Sequence, residues 1–121
     1  MEVGILENNV IQEKSYKLAL NIVNLVKKFP RRTEGFVLGN QLLKAGTSVG
    51  ANVEEAIGAF SREDFIYRMN IAQKESRETH YWLRLIRDSK LLIDEELNVL
   101  INDAEEVMRI LGAIVRSSRK N

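Results

Sequence analysis

The side chains able to do chemistry in this sequence are few and poorly matched to one another. His80 is the only histidine and there is no cysteine, so a His/Cys metal set and thiolate chemistry both lack their parts. Glu54, Glu55, Glu75 and Glu78 are the carboxylates a helical-bundle metal site would draw on. Such sites pair Glu-x-x-His motifs on facing helices, and that pairing is missing. Glu75 and Glu78, three residues apart, are expected to join salt bridges or polar core contacts instead. No Gly-x-Gly-x-x-Gly or Gly-x-x-x-x-Gly-Lys-Ser/Thr run offers a phosphate-binding loop. The reading is therefore of no catalytic residue, no metal, no cofactor and no small-molecule substrate. One group has a coherent chemistry: Lys74, Arg77, Tyr81 and Arg84 recur at helical spacing. Cations around an exposed aromatic ring suit a phosphate backbone with base stacking. A solvated helix face bearing a tyrosine fits the same spacing, and Asp88 falls on that face.

Charge along the chain carries more information than its sum. The 121 residues hold 18 bases and 17 acids, a net charge of +1, which argues against a strongly basic nucleic-acid binder on average. Residues 14–33 nevertheless hold six bases (Lys14, Lys17, Lys27, Lys28, Arg31, Arg32) and no acid. Residues 94–106 hold six acids (Asp94, Glu95, Glu96, Asp103, Glu105, Glu106) and no base. Residues 107–121 hold four bases (Arg109, Arg116, Arg119, Lys120) and no acid. Acids at helix starts and bases at helix ends are what the macrodipole favours. In an antiparallel bundle the end of the first helix lies near the start of the fourth, so the first basic block is expected to be partly neutralised by the acidic one. Lys27, Lys28, Arg31 and Arg32 form the second set of candidate nucleic-acid contacts.

These residues must be positioned by helices. One proline and seven glycines leave few breaks, and apolar residues recur at helical spacing throughout. Ile11, Leu18, Ile22, Leu25 and Phe29 form the first stripe, which Pro30 ends. Thr33 sits where an N-cap belongs, with Glu34 in the following turn. Leu38, Leu42, Ala45, Val49, Val53 and Ala56 form the second stripe, and Gly58 is its stop. Ser61 with Asp64 resembles a capping box ahead of Phe65, Met69, Ala72, Ser76, Thr79, Leu83 and Ile86. Asp94 is the next N-cap candidate, followed by Leu97, Ile101, Ala104, Met108, Leu111 and Val115. Strand and hairpin signals are absent. Short connections favour antiparallel neighbours, so residues 1–121 are expected to form one all-α, up-down-up-down four-helix bundle. Its helices should run over about 9–29, 34–57, 62–89 and 95–117. Hydrophobic residues at 45% with 29% charged residues exclude disorder, and no apolar run is long enough for a membrane span. The opening MEVGILENN lacks the apolar stretch of a secretory leader, and with no cysteine a cytoplasmic protein is expected.

Two helices show more than a core stripe. Ile71, Trp82 and Leu85 flank the stripe of the third helix, and Leu100, Val107 and Ile114 flank that of the fourth. A bundle helix needs an apolar face a little over 100° wide. The extra residues read as a face for self-association, or as a broad core with exposed edges. The second helix carries Gly39, Gly46 and Gly50, each costing about 0.5–1 kcal/mol against alanine. Such glycines are tolerated where another backbone comes close. Asn52, about 60° from that helix's core centre, needs hydrogen-bond partners if buried.

The run Gly39-Asn40-Gln41-Leu42-Leu43-Lys44-Ala45-Gly46-Thr47-Ser48-Val49-Gly50-Ala51-Asn52-Val53-Glu54-Glu55-Ala56 resembles the 23S rRNA intervening-sequence protein family. That family of bacterial four-helix-bundle proteins shows Gln, then Arg/Lys-Ala, then Ser-Ile/Val, then Asn-Ile/Val-x-Glu. Asp64-Phe65-Ile66, Ile71-Ala72, Glu78-Thr79 and Tyr81-Trp82-Leu83 are similar to its third helix. The resemblance places Gln41, Lys44, Ser48, Asn52, Glu55 and Glu78 at the family's characteristic positions, where helix packing or subunit contact suits them. Members are encoded within insertions in some bacterial 23S rRNA genes and also stand alone. Similar proteins are accessory factors of diversity-generating retroelements, in which a basic homopentameric barrel contacts a reverse transcriptase and nucleic acid. The resemblance thus implies a homo-oligomer, a pentamer, with RNA or a reverse-transcriptase-type nucleoprotein as partner. A net charge of +1 departs from those basic relatives. The function expected is a non-enzymatic, oligomeric, RNA- or nucleoprotein-binding bundle; the rival is a protein–protein scaffold without nucleic-acid contact.

Overall fold

The computed structural model describes residues 5–120, with side chains from residue 8 onward. The first four residues of the stretch read for a leader lie outside the described residues. The chain forms α1 (Ile5–Val26), α2 (Thr33–Ile57), α3 (Arg62–Asp88) and α4 (Glu96–Arg119). No strand occurs among the described residues, so the all-α four-helix expectation holds. Helix α1 stops at Val26, short of the expected residue 29. There the amides of Lys28 and Phe29 donate three residues back, to Leu25 and Val26, at 3.0 Å each. This tightens the chain into Pro30.

The helix starts follow from local hydrogen bonds. Ser61 caps α3 as expected, its hydroxyl accepting from the Asp64 amide at 3.1 Å. Asp94 acts as a cap from one residue further out than the geometric cap Glu95, its carboxylate accepting from the Glu96 amide at 2.9 Å. The Thr33 expectation is corrected: Arg32 occupies the cap position in extended conformation with no side-chain bond, and Thr33 is the first helical residue. Helix α3 ends with Lys90 at φ 61°. The Leu91 amide donates to Ile86 and that of Lys90 to Arg87, a Schellman arrangement with lysine in place of the usual glycine.

Each helix packs against two others round a ring, α1 on α2, α2 on α3, α3 on α4 and α4 on α1. Cross-helix partners fix the directions, because the numbers on one helix fall as those on its neighbour rise. Lys14 meets Glu106 and Lys28 meets Asp94 between α1 and α4. Arg62 donates to the Ser118 carbonyl, and Arg87 to Asn98, between α3 and α4. Gln12 meets Glu54, and Ile22 meets Gly46, between α1 and α2. Neighbours are therefore antiparallel, and α1 and α3 stand at opposite corners.

All seven residues expected inside from α3 are buried, as are the five of α1. Three buried hydroxyls bond to their own helix, Ser15 to the Gln12 carbonyl, Ser76 to Gln73 and Thr79 to Glu75. The α4 reading needs correcting. Leu100, Val107 and Ile114, expected on a self-association face, are 0%, 1% and 2% exposed inside this protomer. Helix α4 is covered on two sides, by α1 and α3, so its buried stripe centres on Leu97, Leu100, Ala104, Val107, Leu111 and Ile114. Met108, expected inside, is pushed to the half-buried edge. Burying each large side chain contributes about 1.5–3 kcal/mol, enough to decide the rotation of the helix.

The glycines of α2 mark close approach, as expected. A Cβ at Gly46 would stand 2.5 Å from Ile22 Cδ1, and one at Gly50 would stand 3.3 Å from the Ser15 carbonyl oxygen. The tightest site is Gly35, where a Cβ would come within 1.9 Å of the Pro30 carbonyl oxygen. Gly58 has nothing nearer than 3.7 Å. Alanine gains helix propensity at Gly35, inside α2, but there the backbone itself must move; Gly58, just past the helix end, has room for a methyl group. Urea denaturation should show Gly35→Ala losing about 2 kcal/mol or more and Gly58→Ala staying within about 0.5 kcal/mol of the parent.

Candidate nucleic-acid interface

Because α3 turns one stripe inward over its whole length, its opposite stripe is held outward at the same period. Lys74, Arg77, Tyr81 and Arg84 all lie on that outer side and are exposed. Tyr81 is 48% exposed. Its ring meets the edge of Trp82 at 4.9 Å between centroids with 74° between planes, and the Arg84 guanidinium lies 6.0 Å from its centre. The Trp82 indole N–H donates to Glu78 Oε1 at 3.3 Å, which fixes the indole and braces the tyrosine. Among the described residues no carboxylate lies within 4.0 Å of Lys74, Arg77 or Arg84. Asp88, at the end of this face, is bonded to Arg87 at 2.8 Å, a hydrogen bond that holds its carboxyl below the usual range.

The second candidate set is more compromised. Lys28 bonds to Asp94 at 3.0 Å and Arg32 to Glu34 at 3.0 Å. Lys27 donates to Asn24 at 3.3 Å, and Arg31 is exposed beside the cleft at the α1–α2 corner. The Asp94 carboxyl is held low, first by the Glu96 amide and then by Lys28. Since α1 and α3 do not pack together, the two sets occupy separate surfaces.

The positions carried by the α2 pattern form a polar seam facing α3. Gln41, Lys44 and Glu55 are exposed, Ser48 and Asn52 half-buried. Asn52 finds its partners on Ser48, donating to the backbone carbonyl at 2.9 Å and the hydroxyl at 3.1 Å. Glu75 is raised above the ordinary carboxylate range by burial and by Glu78, against the pull of Lys74 and Lys44. Neither Glu75 nor Glu78 has a cation within 4.0 Å among the described residues, so of the two expected outcomes Glu78 takes the polar contact, with Trp82. No group of three or more His, Asp or Glu side chains among the described residues is placed to hold a metal. No helix there is long and apolar enough to cross a membrane.

One surface was missed by the sequence reading. Tyr16, Leu20 and Val10 of α1 are 67%, 50% and 42% exposed, and a groove between α1 and α2 is lined by Tyr16, Ala19, Thr47, Gly50, Ala51 and Glu54. The signal was present, since Val10, Tyr16 and Leu20 fall off the Ile11–Leu18–Ile22 stripe. By contrast Ile71, Trp82 and Leu85 stay half-buried along the edge of α3.

A family model described as 23S rRNA-intervening sequence protein matches residues 7–113. Among solved structures, a protein of unknown function from the S23 ribosomal protein family of Bacteroides thetaiotaomicron is 41% identical. The similarity covers 91% of this chain and 98% of that one, with a TM-score of 0.84. No curated protein matches the chain.

His80 sits on the α3 edge turned to α4, its Nε2 3.7 Å from Glu105 Oε2. Burial and then Arg84 depress its basicity, outweighing the opposing pull of Glu105. With the folded value below the ordinary histidine range, the unfolded chain binds this proton first as pH falls. His80 therefore contributes stability in full above about pH 6.5, and that contribution shrinks below it. Urea midpoints at pH 7.5 and 5.5 should differ less for His80→Gln than for the parent.

Proposed function

The chain belongs to the 23S rRNA-intervening sequence protein family, and from that premise we propose a non-enzymatic, cytoplasmic, homo-oligomeric bundle protein that binds RNA or an RNA-containing nucleoprotein. The observation that carries this reading is the outer stripe of α3. Lys74, Arg77 and Arg84 are exposed, with no carboxylate within 4.0 Å among the described residues, around a braced, half-exposed tyrosine. Asp88, at the end of this stripe, is held by Arg87 at 2.8 Å. Phosphate binding by such a stripe releases counterions, and Tyr81 offers a face for one unstacked base. Affinity for structured RNA should fall steeply with salt, and Arg77→Gln with Arg84→Gln should flatten log K against log salt by about two. Tyr81→Ala should cost about 1–3 kcal/mol. A salt-independent affinity, measured by fluorescence anisotropy, would reject the reading.

The exposed α1–α2 groove supports self-association and also keeps the protein–protein scaffold in play. Its apolar side chains, Tyr16 and Leu20 above all, gain by being covered. We assign this groove to a second copy, with the edge of Ile71, Trp82 and Leu85 as a secondary contact. Five copies is the number the family resemblance implies. Light scattering at roughly tens of micromolar should report an oligomer that Leu20→Asp dissociates; a monomeric parent would refute it. Pull-down from lysate with and without nuclease separates RNA from a protein partner, which alone survives the treatment.

A further inference from the structure

The charge blocks of the sequence are sorted by α4, whose two edges carry opposite roles. The edge turned to α1 is acidic and satisfied. Asp94 takes Lys28, Glu106 takes Lys14, and Asp103 lines a groove with Lys14 and Lys17. The edge turned to α3 carries arginines. Arg109 is bonded to Glu105 at 3.0 Å, and Glu105 lies 3.7 Å from His80 of α3. Arg116 reaches back over Gly112, where Gln73 of α3 also arrives. A Cβ at that glycine would stand 3.2 Å from Arg116 Nη1 and 2.8 Å from Gln73 Nε2.

On α3, Arg77 lies one turn from both Gln73 and His80, and Arg84 one turn beyond His80. Arg77 and Arg84 thus form one lip of the α3–α4 groove, and Arg109 and Arg116 form the other. Within each row the arginines are seven residues apart, about 10.5 Å of helix, and packed helix axes lie about 8–10 Å apart. Arg77, Arg84 and Arg116 have no carboxylate within 4.0 Å among the described residues. The one acid between the rows, Glu105, is occupied by Arg109. A chain of net charge +1 therefore presents a cationic face, because folding pairs Lys14 and Lys28 of α1 with acids of α4 and leaves Arg77, Arg84 and Arg116 with none within that distance.

We propose that the α3–α4 face binds double-stranded RNA, Arg77 and Arg84 contacting phosphates of one strand and Arg109 and Arg116 those of the other. The proposal rests on the RNA-binding reading above and extends it: α4 supplies half of the surface, and the ligand is a duplex. One cationic row serves one strand. Two rows on neighbouring helices, whose axes lie about 8–10 Å apart, can meet two phosphate chains at once. A-form duplexes are recognised through such backbone and shape contacts, their base edges being poorly accessible in the major groove. The guanidinium fork suits phosphate oxygens better than a lysine point charge does.

Fluorescence anisotropy on the full chain tests this with a labelled RNA duplex of about 16 base pairs and the single strand of the same sequence. The parent should prefer the duplex by about tenfold or more. Arg109→Gln with Arg116→Gln should weaken duplex binding by about tenfold between 50 and 200 mM salt relative to the parent and flatten the salt slope by about two. Lys14→Gln with Lys17→Gln, on α1 beside the opposite edge of α4, should leave it unchanged. Asn102→Arg, seven residues before Arg109 in the same row, should tighten binding and steepen the slope by about one. Because that variant adds a contact, it reads the row even if the double variant folds poorly. Duplex affinity insensitive to both α4 changes overturns the inference and, if Arg77→Gln with Arg84→Gln still weakens RNA binding, leaves the RNA reading standing. Preference for the single strand overturns the duplex assignment. A parent that binds neither RNA overturns both.

Discussion

Every helix of this chain has one apolar stripe, and the connections at 27–32, 58–61 and 89–95 are too short to carry a helix past its neighbour. The stripes can then be buried together only in an antiparallel ring in which each helix touches the two beside it. This constraint sets the rotation of α4, whose stripe must serve both α1 and α3. It also sets the close approach of α1 to α2, where Gly46 and Gly50 leave room for Ile22 and the Ser15 backbone. Surface ion pairs follow from the ring and do not create it, since exposed pairs contribute only about 0–1 kcal/mol each.

The same ring decides the electrostatics. Lysines of α1 meet acids of α4 because antiparallel packing brings Lys14 to Glu106 and Lys28 to Asp94. The arginines of α3 and of the second half of α4 have no comparable acidic block across from them. The near-zero net charge thus says little about how charge is spread over the surface: it hides one edge with two ion pairs across helices and one cationic face. The face is also rigid, because its residues project from helices whose opposite sides are packed in the core.

The apolar surface tells a complementary story. The residues first assigned to self-association on α4 are core residues, whereas Tyr16 and Leu20 on α1 remain uncovered. The groove between α1 and α2 lies on a different side of the ring from the α3–α4 face. Under the proposed assembly through the former, the latter would stay open in every copy, and many weak phosphate contacts would add.

Much of this was readable before folding was considered. Helical periodicity identified every buried residue of α3, the stripe of α1 and the Ser61 cap, because these depend on neighbours a turn or less away. The stripe Lys74–Arg77–Tyr81–Arg84 was legible for the same reason: residues three and four apart share a face whatever surrounds them. What periodicity could not tell is how many partners cover a face and how wide its buried sector becomes. Leu100, Val107 and Ile114 therefore went to the wrong side, and the α1–α2 groove escaped notice. Pairing of charges is likewise a matter of distance through space. The sequence by itself determined the helices and their faces; only the tertiary structure decided which cations of α1 and α4 are neutralised, because Coulomb attraction acts between groups that packing, not chain order, makes adjacent.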